Sequence, residues 1–118
     1  MGESFKDLVV WQRAVQMTVA IYNLTSSFPD LERFGLTSQL RRAAVSVASN
    51  IAEGYGRATT GEYLQFLGHA RGSNFELQTQ LVISEALDFG TEESRQIADS
   101  LSGEVSRMLV AIMNKLRE

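Results

Sequence analysis

Thr37–Arg57 reads TSQLRRAAVSVASNIAEGYGR. Wound at about 100° per residue, Leu40, Ala44, Val47 and Ile51 recur at spacings of four, three and four, the seam of a packed helix. Arg41, Val45, Ala48 and Ala52 form a second row beside it, and Ala43 lies on the other flank. The apolar arc is then roughly 200° wide, well beyond the ~100° stripe by which a surface helix packs. Only Arg42, Ser46, Ser49 and Glu53 make a clearly polar face. A helix with two apolar faces needs two partners. Periodicity leaves open whether the second is another helix of the same chain, as in a monomeric bundle, or another subunit. The Ala, Ser and Gly content lets backbones approach closely and makes the packing intolerant of bulk.

Upstream, Val10, Ala14, Met17, Ile21, Leu24 and Phe28 follow alternating steps of four and three, a heptad, with Trp11, Val15, Thr18 and Tyr22 in a parallel row. Phe28-Pro29 ends this helix, because a residue before proline is pushed out of the α region. Residues 29–35 read as a corner, with Thr37 the expected N-cap of the next helix. Gly54 reads as its C′ terminator. Thr59-Thr60-Gly61-Glu62 reads as a capping box opening a third helix. That helix carries Tyr63, Phe66, Leu67, Ala70, Leu77 and Leu81, with a second row of Leu64, Phe75, Val82 and Ala86. Gly90 closes it, and Thr91 with two glutamates opens a fourth, whose seam is Ala98, Leu101, Val105, Met108 and Ile112. The expected helices are 7–26, 37–54, 60–89 and 92–116, after an extended arm over residues 1–6 anchored by Phe5. No strand pattern interrupts them. The fold class is all-α, one domain over 1–118, an antiparallel up-down-up-down four-helix bundle.

At 118 residues the chain can bury a core of its own. The absence of cysteine excludes disulfides and thiolate metal sites. No apolar run reaches the ~18 residues that span a membrane, and no signal-peptide segment opens the sequence. Lys6 stands where an N-myristoylation signal at Gly2 wants Ser or Thr. A cytoplasmic protein without membrane contact is the expectation. The net charge of −3 argues against a general nucleic-acid coat. Charge is uneven, however: residues 33–57 hold four arginines against Glu53 alone, while residues 60–118 hold nine acidic and five basic residues.

A search for chemistry finds little. His69 is the only histidine, with Ser73 one turn away, but no oxyanion donors accompany the pair. A di-iron bundle needs Glu three residues before its histidines, and Phe66 stands there. Gly54, Gly56 and Gly61 fit no phosphate-loop spacing. No catalytic residue, metal site or cofactor is assigned, and an enzyme is not expected. Arg71, Gln78 and Glu85 put a polar line along the greasy face of the third helix. If buried, each needs a partner, so an inter-helix or inter-subunit salt-bridge line is expected. Arg41, Arg42 and Arg57 with Asn50 remain. Guanidinium forks grip phosphate and asparagine can hydrogen-bond a base; ion pairing to Glu53 or to acids of the later helices is the alternative.

FKDLVVWQRA (5–14), FGLTSQLRRAAVSVASNIAEGYGR (34–57) and ARGSNFELQTQL (70–81) resemble a bacterial four-helix-bundle family. That family was first noticed as proteins encoded by intervening sequences within large-subunit ribosomal RNA genes. It is similar to the accessory variability determinant of diversity-generating retroelements. The resemblance runs from Phe5 to the seam of the fourth helix. It implies assembly into a ring, typically a homopentamer. The retroelement relatives extend the implied partners from self to RNA, DNA or a reverse transcriptase. The family motif falls on Gln39, Arg41, Arg42, Asn50, Glu53, Gly54 and Arg57, then on Glu76 and Gln80. Three positions depart from it: Ala48 where many relatives have Pro, Arg71 for an apolar residue, and Gln78 for an acid. The expectation is a non-enzymatic oligomeric scaffold whose interface includes Val45, Ala48, Ala52, Leu64, Arg71, Phe75, Gln78, Val82 and Glu85. The alternative is a nucleic-acid-binding accessory protein using Arg41, Arg42, Asn50 and Arg57.

Overall fold

Helices α1 (Val9–Thr25), α2 (Leu36–Tyr55), α3 (Thr60–Ala86) and α4 (Glu92–Leu116) make up a computed structural model that describes residues 4–118. Among the described residues there is no strand, and no helix is long and apolar enough to cross a membrane. Each helix packs on the next and α4 closes on α1. Along the diagonals α1/α3 and α2/α4 no Cα pair comes within 8 Å. The four therefore stand at the corners of a square in chain order, the up-down-up-down arrangement. The 27 residues of α3, about 40 Å at 1.5 Å each, nearly span the 44 Å long axis.

The α1 heptad faces inward as its pattern predicts: Val10, Ala14, Met17, Ile21, Leu24 and Phe28 are buried. They meet Leu40, Ala44, Val47 and Ile51 of α2, which are fully enclosed. Each leucine or isoleucine so buried contributes about 1.5–3 kcal/mol. On α4 the seam differs from the expected one. Ala98, Ser102, Val105, Leu109 and Met113 are buried, while Leu101, Met108 and Ile112 lie at the margin, partly exposed. The cause is a polar network that hydropathy does not register. Asn74 is fully buried; its Nδ2 donates to the Ser102 carbonyl at 2.9 Å and to the Ser106 hydroxyl at 3.1 Å. Its Oδ1 accepts from the Ser102 hydroxyl at 2.8 Å, and Gln78 Nε2 donates to that same hydroxyl at 3.0 Å. Such a network fixes α3 against α4 at one register, because sliding would strand several buried polar groups together.

The helix ends depart from the sequence reading in four places. Thr37 does not cap α2; it is buried inside the helix, and the Leu36 N–H donates to Glu32 Oε1 at 3.0 Å. Gly54 is not a C′ terminator, since α2 continues to Tyr55. A Cβ at Gly54 would stand 2.7 Å from Phe66 Cβ and 3.1 Å from Tyr63 Cδ1, so the close approach of α3 demands glycine there. The Thr59 cap forms, accepting from the Glu62 N–H at 3.1 Å, but the Glu62 carboxylate returns to the Thr59 hydroxyl rather than to its amide. Helix α3 stops at Ala86, short of Phe89, because Asp88 turns left-handed at φ 57°. Phe89 N–H then donates to the Ser84 carbonyl and Asp88 N–H to that of Glu85, a Schellman ending. Residues 1–3, including Gly2, lie outside the described residues. In place of an extended arm, a Ser4-capped 3-10 turn over Phe5–Asp7 sets Phe5 edge-on to Trp11 at 5.2 Å.

Candidate interaction surfaces

In a square of helices taken in chain order, the α1–α2 side is opposite the α3–α4 side. Each carries an outward groove. Between α1 and α2, Trp11, Val15 and Val19 oppose Val45, Ala48 and Ala52 across about 390 Å³. Val19 is 55% exposed and Val45 44%. Toward the α1–α2 corner this side continues into a groove of about 530 Å³, lined by Tyr22, Phe34, Arg33, Arg41 and Arg42 and by no acid. Arg41 is held in place there. Its Nε donates to Thr25 Oγ1 at 2.9 Å, and its guanidinium lies 4.5 Å above the Tyr22 ring, a cation–π contact.

On the opposite side, Phe75 of α3 and Val110 and Ala111 of α4 line an apolar groove of about 480 Å³, with Arg71 and Arg107. Arg71 lies 5.1 Å over the Phe75 ring. Nearer the α3–α4 turn, Leu81, Val82, Glu85, Glu92, Arg95 and Asp99 line a smaller groove of about 210 Å³. Its one cation is engaged inside the fold: Arg95 Nη1 donates to the Phe89 and Gly90 carbonyls, and Nη2 lies 3.8 Å from Asp88.

The expected interface residues thus divide. Val45, Ala48 and Ala52 open on one side, and Arg71, Phe75, Val82 and Glu85 on the other. Leu64 and Gln78 do not join either set. Leu64 packs against the core and Gln78 bonds the α4 serines. Among the described residues no line of salt bridges runs through residues 71, 78 and 85. Arg71 sits on a ring, Gln78 turns inward, and Glu85 has no ion-pair partner among the described residues.

The arginine set also separates. Arg57 pairs with Glu53 at 3.3 Å and covers Phe66 at 4.6 Å. It lies beyond the end of α2, whose last residue, Tyr55, is already about 21 Å along the axis from Arg41, fourteen residues at ~1.5 Å. Asn50 Nδ2 is engaged within α2 by the Ser46 carbonyl and hydroxyl at 2.8 and 3.0 Å. Arg33, which the motif reading leaves out, is the residue that joins Arg41 and Arg42. Its place just before α2 and its charge were the available signals. Ser73 shares a hydrogen bond with Ser46 at 2.8 Å, while His69 lies edge-on to Phe66, so they form no Ser–His pair. Among the described residues no cluster of three or more His, Asp or Glu suits a metal ion. At the α2–α3 end, burial and, second, the neighbouring Tyr55 hold the Tyr63 hydroxyl above the usual tyrosine pKa.

Residues 6–111 match the 23S rRNA-intervening sequence protein family, and the chain belongs to it. The resemblance to that family, read in residues 5–14, 34–57 and 70–81, is therefore borne out. The structure is similar to that of a protein with unknown function from the S23 ribosomal protein family of Bacteroides thetaiotaomicron VPI-5482. The TM-score is 0.79 at 21% identity, covering 89% of this chain and 98% of that one. At that identity the likeness establishes the shared four-helix fold. No curated protein matches the chain.

Proposed function

We propose that this member of the intervening-sequence family is a non-enzymatic, self-assembling interaction protein whose copies join head to tail in a closed ring. One observation carries the reading. Large apolar side chains stand exposed on opposite sides of the bundle, Val19 and Val45 on one, Phe75 and Val82 (48% and 66% exposed) on the other. Apolar patches of this kind on a small protein mark interaction surfaces. Two dissimilar patches on opposite faces favour a heterologous contact, which propagates from copy to copy and closes into a ring when the rotation permits. An isologous dimer would cover only one of them. Five copies is the number that the resemblance implies.

Covering the exposed part of Val45 contributes about 1 kcal/mol per copy, whereas a buried unpaired carboxylate in its place costs several. Val45→Glu and Phe75→Glu should each give helical protein of lower mass by light scattering. A wild type that stays a single chain at high concentration, or two variants that keep the wild-type mass, would overturn the proposal.

The arginine groove favours a second reading, an accessory protein that binds RNA or DNA, alone or with a reverse transcriptase. Three arginines meet there without an acid in the lining. Such binding should weaken steeply with salt, the log–log slope falling by about 0.9 for each lost contact to duplex DNA. No mobility shift at low salt with structured RNA or duplex DNA would end it.

A further inference from the structure

We infer that the arginine groove between α1 and α2 and the carboxylate groove between α3 and α4 are two halves of one contact. Arg33, Arg41 and Arg42 of one copy receive Glu85, Glu92 and Asp99 of a second copy. This rests on the self-assembly reading and gives it a register and an orientation.

Hydrogen bonds between helices act as rungs that set the levels. Ser46 meets Ser73 and Gln39 meets Gln80 across α2/α3. Ser102 meets Asn74 and Gln78 across α3/α4. Counting along these rungs, Glu85 and Glu92 fall level with the residues just before α2, near Arg33, and Asp99 falls within a turn of Arg41. The carboxylates therefore occupy the same stretch of the long axis as the arginines, on the opposite side. The same rungs put Phe75 and Val110 level with the stretch from Ala44 to Ile51, where Val45 and Ala48 open outward. A second copy displaced sideways, with its helices pointing the same way, sets apolar groove on apolar groove and acid on base.

Turning that copy upside down does the reverse. It carries Glu85, Glu92 and Asp99 to the far end, away from Arg33, Arg41 and Arg42, while Arg71 and Arg107, level with the middle of α2 by the same rungs, stay near mid-bundle. The inverted pairing therefore forfeits the charge complementarity that the upright one keeps, which sets the orientation. Arg95 does not spoil the acidic half, because backbone carbonyls and Asp88 engage it.

The test uses Arg33→Glu with Arg42→Glu, leaving Arg41 on Tyr22, and separately Glu85→Lys with Asp99→Lys. All four substituted positions are exposed. Each double variant presents like charge on both sides and should associate on the order of a hundredfold more weakly, with unchanged helical circular dichroism. The quadruple variant exchanges the two signs and should recover the wild-type mass and its salt sensitivity. A single-chain wild type would remove the self-assembly reading itself. A wild type that assembles while both double variants assemble equally well would overturn only the groove pairing. So would an Arg33→Glu/Arg42→Glu protein that keeps its mass but loses a structured-RNA shift, which would assign the groove to nucleic acid.

Discussion

Replacing Gly54 by alanine sets two effects of opposite sign against each other. In a helix interior alanine is favoured over glycine by about 1 kcal/mol. At Gly54, however, the new methyl would stand 2.7 Å from Phe66 Cβ and 3.1 Å from Tyr63 Cδ1. A Cβ cannot rotate aside, so α2 and α3 must separate along a tightly packed seam. Overpacking of this kind costs about 1–3 kcal/mol, and the fixed position of Phe66 Cβ places Gly54 in the upper part of that range. The net expectation is a loss of about 1–2 kcal/mol, or a Tm lower by roughly 4–8 °C for a domain of this size. Gly68 and Gly72 are the internal controls. Both lie within α3, and a Cβ at either would meet nothing within 4 Å. Their alanine variants should gain up to about 1 kcal/mol each. Urea unfolding should be compared at one protein concentration, because association adds to apparent stability by mass action. A Gly54→Ala protein as stable as wild type, beside the expected gains at Gly68 and Gly72, would refute the close-approach argument.

Asn74→Ala should lose about 2–3 kcal/mol by chemical denaturation, through the cavity and the serine groups left unpaired; a loss below ~1 kcal/mol would mean the network is incidental. Glu32→Ala should cost about 1 kcal/mol by freeing the first N–H of α2, read as a lower thermal midpoint. Tyr63 should titrate above the ordinary tyrosine value in an ultraviolet pH titration, chiefly because it is partly buried. The folded state then holds its proton more tightly than the unfolded one. That stabilisation is complete below about pH 10 and fades as pH rises through the raised value. In Tyr63→Phe this alkaline component of the stability curve should vanish.

The α1 helix was legible because every seam position is apolar, so the heptad needs no knowledge of its neighbours. The α4 seam was not. Ser102 is buried by virtue of Asn74, which lies 28 residues away in sequence, and hydropathy alone rotates the helix toward Leu101 and Met108. Gly54 shows the same limit. Followed by Tyr-Gly it has the look of a terminator, and only Phe66 reveals that space rather than backbone freedom demands it. Asp88 carries no signal strong enough to end α3 three residues early. The width of the apolar arcs on α2 and α3 called for a second partner but left open whether it lay in the same chain or in another subunit. Their placement on opposite sides required the cyclic order of the helices, and so did the recruitment of Arg33.

Four guanidiniums lie over aromatic neighbours: Arg33 over Phe34, Arg41 over Tyr22, Arg57 over Phe66 and Arg71 over Phe75, at 5.8, 4.5, 4.6 and 5.1 Å. A long cationic side chain ordinarily forfeits up to ~2 kcal/mol of rotamer freedom when another molecule immobilises it. Each ring contact favours one placement of the guanidinium and covers part of it, so a share of that cost falls on folding rather than on docking. Their positive charge meets an incoming surface from a favoured position, so less motional freedom remains to be lost at docking. Misaligned acids are penalised correspondingly, since swinging over to meet them forfeits the ring contact.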